Sequence, residues 1–186
     1  KDWLGANEET ALKIMAMSYR YNRWIQEDIV TVLPLVVEAM NAHSGVATDP
    51  DELKFIFDTF LDFRTYQQDQ ETAFNPESDL YWEQSAKYYV ERSKDLPEGA
   101  DYLLTNPLNE WFEKFLAKDD LLSWVDKDLG TVGSEPEPTP PPVLTFSDEP
   151  VAVRVGMTPF FDYQFWPVAK EYGWDKELGL DLQFTW

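Results

Sequence analysis

Along the first 129 positions the apolar residues recur at steps of three and four, whereas near the C-terminus they alternate. The first pattern predicts helices and the second predicts strands. After Asn7, a cap, the residues Ile14, Met17, Tyr21, Trp24 and Ile25 form one buried stripe. A second run follows Asp28, with Ile29, Val32, Leu33, Val36, Val37 and Met40, and ends at Gly45. Pro34 lies inside that run. An interior proline costs about 3 kcal/mol, so the pattern favours a helix starting near Leu33 with Pro34 in its first turn over a kink at Pro34. Asp49-Pro50-Asp51-Glu52 is the clearest helix start: Asp49 caps, Pro50 takes the first turn, and Glu52 reaches back. Leu53, Ile56, Phe57, Phe60 and Leu61 then share a face.

The polar stretch from Tyr66 to Thr72 carries little periodicity and reads as loop. Asn75-Pro76 repeats the cap-plus-proline device ahead of Leu80, Trp82, Ala86, Tyr89 and Val90, and Leu96 to Gly99 breaks that helix. Asn106-Pro107 opens another, with Leu108, Trp111, Phe112 and Phe115 inward. Asp119 to Leu129 reads as a short final helix ending at Gly130. Aromatic rows such as Trp82 with Tyr89, or Trp111 with Phe112 and Phe115, read as core. Gly130 to Pro150 changes character, with prolines at 136, 138 and 140 to 142. It predicts an extended, semi-rigid spacer.

From Val151 the period is two: Val151, Val153 and Val155 alternate with Ala152 and Arg154. Phe165, Val168, Ala169 and Tyr172 then form a helical face, and Leu180, Leu182 and Phe184 alternate again. Strand, helix, strand is a βαβ unit, normally with parallel strands. Gly173 suits the left-handed end of the helix and Gly179 the turn into the second strand.

Composition narrows the function classes. The chain has 186 residues, 44% hydrophobic and 16% aromatic, so it has the means to build a core. It has no cysteine, which removes disulfides, thiolate zinc sites and cysteine nucleophiles together. The net charge of −20 repels phosphates, so no nucleic acid is expected as a partner. No apolar run approaches the roughly 20 residues of a membrane span, and no membrane insertion of this segment is expected. No signal peptide is visible after Lys1. His43, near a helix C-terminus, is the single histidine, and a structural role is expected of it. No nucleophile elbow, phosphate loop or dinucleotide fingerprint occurs. The expectation is therefore no catalysis, no metal and no cofactor.

The C-terminal motifs, Val153 to Thr158, Val168 to Gly173 and Glu177 to Leu182, resemble the opening of periplasmic solute-binding proteins of ABC importers, in the group that binds nitrate, sulfonates, taurine and thiamine precursors. Trp174 departs from the residue usual at its place. The first 129 residues resemble, more loosely, the C-terminal end of the same family, through Arg23-Trp24-Ile25, Asp49 to Leu53, Phe74 to Trp82 and Leu96 to Gly99. The resemblance implies an α/β, two-lobed binding fold present as a fragment, mainly α in these residues. It divides the chain into the tail of one solute-binding domain (1–129), a proline-rich linker (130–150) and the βαβ start of a second (151–186). The helical tail is then expected to pack on the βαβ head.

The implied role is extracytoplasmic or periplasmic: capture of a small organic solute for an ABC permease in the membrane. Ligands of open α/β sheets bind beyond the carboxyl ends of strands. That places Thr158, Phe160, Phe161, Asp162, Tyr163 and Trp166 at the candidate ligand site. Asp162 would suit a cationic or hydrogen-bond-donating group, such as a protonated aminopyrimidine, and would disfavour a bare anion. Its structural alternative is a helix cap, with the aromatics packed under the sheet. Two other functions stand beside this one. One is an enzyme of the thiamine-pyrimidine synthase kind, which shares the fold but needs histidines at its site. The other is a helical interaction protein with a proline-rich tail, which requires Val151 to Val155 and Leu180 to Phe184 to stay unpaired.

Overall fold

The computed structural model describes residues 2–44, 47–92, 107–129, 149–157 and 165–185. The chain is mainly helical, with a short βαβ unit near its C-terminus. Helix α1 (Asp2–Ala6) leads into the long α2 (Glu8–Ser44), followed by α3 (Pro50–Phe60), α4 (Tyr66–Glu71), α5 (Trp82–Arg92), α6 (Leu108–Leu116) and α7 (Asp119–Asp126). Strand β1 (Val151–Gly156), helices α8 (Phe165–Glu171) and α9 (Trp174–Glu177), and strand β2 (Leu180–Thr185) complete it. The proline-rich spacer, apart from Leu129 before it and Glu149 and Pro150 at its end, lies outside the described residues.

Asn7 does cap, but in an unexpected direction. Its backbone carbonyl accepts from Ala11 at 3.0 Å, as a helix start requires, while its side-chain amide donates to the Trp3 carbonyl at 2.8 Å. The side chain thus closes α1 rather than opening α2. The break in α2 falls at Asp28 (φ −151°, ψ 64°), not at Leu33. Asp28 Oδ1 accepts from the Thr31 amide at 3.3 Å and restarts the helix there. Pro34 is left in the helix interior. Its missing donor orphans the carbonyl of Val30. Val30 is 74% exposed, on the solvent side of α2 where water has access.

Asp49 caps α3 as expected, its carboxylate accepting from the Asp51 amide at 2.8 Å with Pro50 in the first turn. The other Asx-Pro starts differ. Asn75 Oδ1 accepts from the Glu77 amide at 3.0 Å and makes a turn, with α5 beginning only at Trp82. Pro107 is itself the cap residue of α6. The expected loop at 66–72 is helix α4. Thr65 and Gln68 form a reciprocal capping box there, and Tyr66 is buried, its hydroxyl donating to Asp126 Oδ2 at 2.6 Å. Helix α5 buries none of its residues; Tyr89 is exposed rather than core, and Trp82 is only half-buried. On α3, Leu53 and Phe57 point inward as expected, whereas Phe60 is exposed.

The long α2 is the axis of the molecule, with α3, α6, α7 and α8 packed around it. One hydrophobic cluster runs through all of them. It contains Leu12, Met17, Trp24 and Val36 of α2, Leu53 and Phe57 of α3, Phe112 and Phe115 of α6, and Trp124 and Val125 of α7. It continues into Val153 of β1, Val168 and Ala169 of α8, Trp174, Leu178, and Leu180 and Leu182 of β2. The helical region and the βαβ unit therefore share a core, which is the packing expected of a tail on a head.

β1 and β2 pair in parallel, Val151 opposite Leu180, Val153 opposite Leu182 and Val155 opposite Phe184. Val153, Leu180 and Leu182 are buried against the helices and Val155 and Phe184 partly so, whereas Val151 is exposed. Ala152, Arg154 and Gly156, with Gln183 and Thr185, face solvent. Gly173 and Gly179 both adopt positive φ, 70° and 67°, as their positions require.

Candidate functional site

The expected site lies beyond the carboxyl end of β1. The strand is carried there by its ladder: Val151 donates to the Gly179 carbonyl at 3.0 Å and Met157 to that of Thr185 at 2.8 Å. Met157 is buried just past the strand. Of the six predicted residues, Trp166 is described. Thr158, Phe160, Phe161, Asp162 and Tyr163 lie outside the described residues, and with them the choice for Asp162 between cap and ligand contact. Trp166 sits in the first turn of α8, half-buried, its ring 4.2 Å from that of Phe165. Phe165 in turn meets buried Tyr21 of α2, centroid to centroid 5.9 Å. The start of α8 is thus tied to the helical layer, which directs the Trp166 ring outward along β1.

Trp166 forms one wall of an open cleft of about 570 Å³. Residues 152–156 of β1 form its floor, with Trp3 and Ile14 opposite. This volume falls within the range of small-molecule sites; the cleft is open to solvent, and its lining combines the Trp3 and Trp166 rings with Arg154. Of its eight lining residues, the sequence placed Trp166 alone at the site. Arg154 had a signal, a cation inside a run of valines in a strongly acidic chain. Trp3 and Ile14 had none, since only tertiary packing brings the N-terminal helices to β1.

The junction of α2, α7 and α9 is built around a buried arginine. Arg20 of α2, 4% exposed, directs its guanidinium at the end of α7. It donates to the carbonyls of Trp124 (2.6 Å), Lys127 (3.1 Å) and Asp128 (3.2 Å). Its guanidinium carbon lies 4.9 Å from the Trp124 ring and 5.3 Å from that of Trp174. Burial pulls its pKa down to about 10, against the opposing pull of Glu177. Trp174 also meets Trp24 at 5.7 Å and Trp124 at 6.0 Å. Trp124 Nε1 donates to Glu177 Oε2 at 2.7 Å. Trp174 is thus the residue around which α2, α7 and α9 meet.

On the solvent face of the sheet, the Asp181 carboxyl is held below the usual carboxylate range. The hydrogen bond from Gln183 is the main cause, and Lys170 adds to it. His43 lies in the last turn of α2. Among the described residues no group of three or more His, Cys, Asp or Glu side chains is gathered as a metal ion would need. No described helix is long and apolar enough to cross a membrane. No family model, no curated protein and no solved structure matches the chain.

Proposed function

We propose that this chain belongs to an extracytoplasmic solute-binding receptor of an ABC importer, joining the helical tail of one binding domain to the βαβ start of a second. The receptor captures a small organic solute and hands it to a membrane permease without chemical turnover. One observation carries the reading: a parallel βαβ unit packs on the helical layer through a common core, and a cleft with two tryptophans in its lining runs along its first strand to the carboxyl end. Open α/β folds take ligands beyond the carboxyl ends of their strands, and Gly156 and Trp166 bring the cleft to that end of β1. The two-lobed fold is part of the proposal. In it, closure of the lobes about a hinge traps the solute, and these residues supply half of the site, so the chain alone binds weakly.

The helical interaction reading required the two alternating segments to stay unpaired, and they form a ladder from Val151 to Gly156. The enzyme reading has the single histidine at position 43, in α2, far along the chain from the βαβ unit.

The test is equilibrium dialysis of the full-length polypeptide against an aminopyrimidine, taurine and nitrate, in wild type and Asp162→Ala. The expected result is saturable binding of the aminopyrimidine, weakened about tenfold or more in D162A, the loss of one charge-assisted hydrogen bond. Binding of none of the three, or nitrate binding that D162A leaves unchanged, would refute the reading.

A further inference from the structure

The two edges of the sheet are treated differently. In a parallel ladder, alternate residues of a strand turn both backbone groups to one neighbour. The bonds from Val151 to Gly179 and from Met157 to Thr185 show that the odd-numbered residues of β1 serve β2. By the same register, the even-numbered residues of β2 face away from β1. Leu182 is the middle one, and both of its backbone groups are taken. Its amide donates to Asp175 Oδ2 at 3.3 Å, and its carbonyl accepts from Lys170 Nζ. Asp175 is itself 1% exposed, so this edge is closed by a buried side chain. Side chains that occupy an edge in this way prevent a further strand from adding.

The edge of β1 has no such closure. Ala152, Arg154 and Gly156 turn their backbone groups outward, and among the described residues no strand pairs with them. They open onto the cleft between Trp3, Ile14 and Trp166. Arg154 is exposed there and, among the described residues, makes no ion pair, although acidic residues outnumber basic ones 35 to 15 in the chain.

We infer that the outer edge of β1 is a strand-docking site for an extended peptide segment that carries a carboxylate opposite Arg154. The peptide supplies backbone partners to Ala152, Arg154 and Gly156 and lays apolar side chains against Trp3, Ile14 and Trp166. Main-chain bonds give such docking its affinity, and the side-chain contacts its selectivity. A second copy fits poorly. Each copy carries −20, and a symmetric antiparallel pairing centred on Arg154 sets that cation against its twin. The inference does not rest on solute binding, but the peptide takes the same cleft as the proposed solute, so the two ligands compete.

The experiment titrates the full chain with a capped Thr-Val-Glu-Val-Thr peptide and follows the backbone amide resonances. Saturable binding is expected, with slowed hydrogen exchange at Ala152, Arg154 and Gly156. Ala152→Pro removes one edge donor but none of the ladder to β2, and is expected to weaken binding about tenfold. Arg154→Glu is expected to invert the preference between this peptide and its Lys-centred counterpart. A peptide N-methylated at its central residue tests the same edge on the unaltered protein, and weaker binding is expected. No saturation by about millimolar peptide, equal binding of the N-methylated peptide, or self-association abolished by A152P would overturn the inference.

Discussion

Arg20 lies on the buried side of α2 with its guanidinium against the last carbonyls of α7. Those carbonyls have no partner within their own helix. The planar fork of arginine reaches the Trp124 carbonyl in that last turn and those of Lys127 and Asp128 just past it, all at 3.2 Å or less, and stacks its faces near two tryptophans. Arg20→Met keeps the bulk but takes the partner from the Trp124 carbonyl, whereas that of Lys127 keeps the Arg23 guanidinium at 2.9 Å. A loss on the order of 3 kcal/mol is expected, read as a lower urea midpoint; a midpoint equal to wild type would contradict this role. Arg20→Lys is expected to recover only part of the loss. The position was legible in part. Arg20 falls three residues after Met17 and four before Trp24, on the buried stripe, but a search for apolar residues passes over it. The packing role of Trp174 was not legible, for another reason. A tryptophan after a helix-ending glycine carries no local signal, and its worth comes from α2 and α7, which lie far away in sequence.

Helix α4 shows how local chemistry outweighs periodicity in a short element. Tyr66 to Glu71 has no apolar stripe, and so reads as loop. Thr65 and Gln68 nevertheless spell the capping box, which satisfies two of the orphan amides of a six-residue helix. Thr65→Ala is expected to cost about 1 kcal/mol and to speed amide exchange through residues 66–71, with little change in α3. If exchange in α4 stays as in wild type, the bond from Tyr66 to Asp126 holds the helix instead. The restart at Asp28 is the converse case. Asp28 was visible as the residue before an apolar run, but the cost of an interior proline argued for a later start. That cost is small at Pro34 because the orphaned carbonyl belongs to an exposed residue. Helix α5 was read as amphipathic from its spacing, yet the described residues place no layer over its aromatic face. Periodicity gives the face of a helix but not what covers it.

At the scale of the whole molecule, the strand–helix–strand pattern, its parallel pairing and its two left-handed glycines were legible, because alternation and glycine chemistry are local. The cleft was legible only at Trp166 and at the strand that floors it. Its opposite wall is the N-terminal helices, joined to β1 by packing. The same packing decides whether the chain is one body or two joined by a proline-rich spacer. The shared core runs from Leu12 to Leu182, and Trp124, Trp174 and Glu177 seal the junction. The solute-binding proposal and the position of the cleft both depend on that junction. Native-state hydrogen exchange in low urea tests it most directly. The slowest amides of β1 and β2 are predicted to open with the same free energy and urea dependence as those of α2 and α7, in one cooperative unit. Opening of the strands at lower urea while α2 and α7 stay protected would contradict the account.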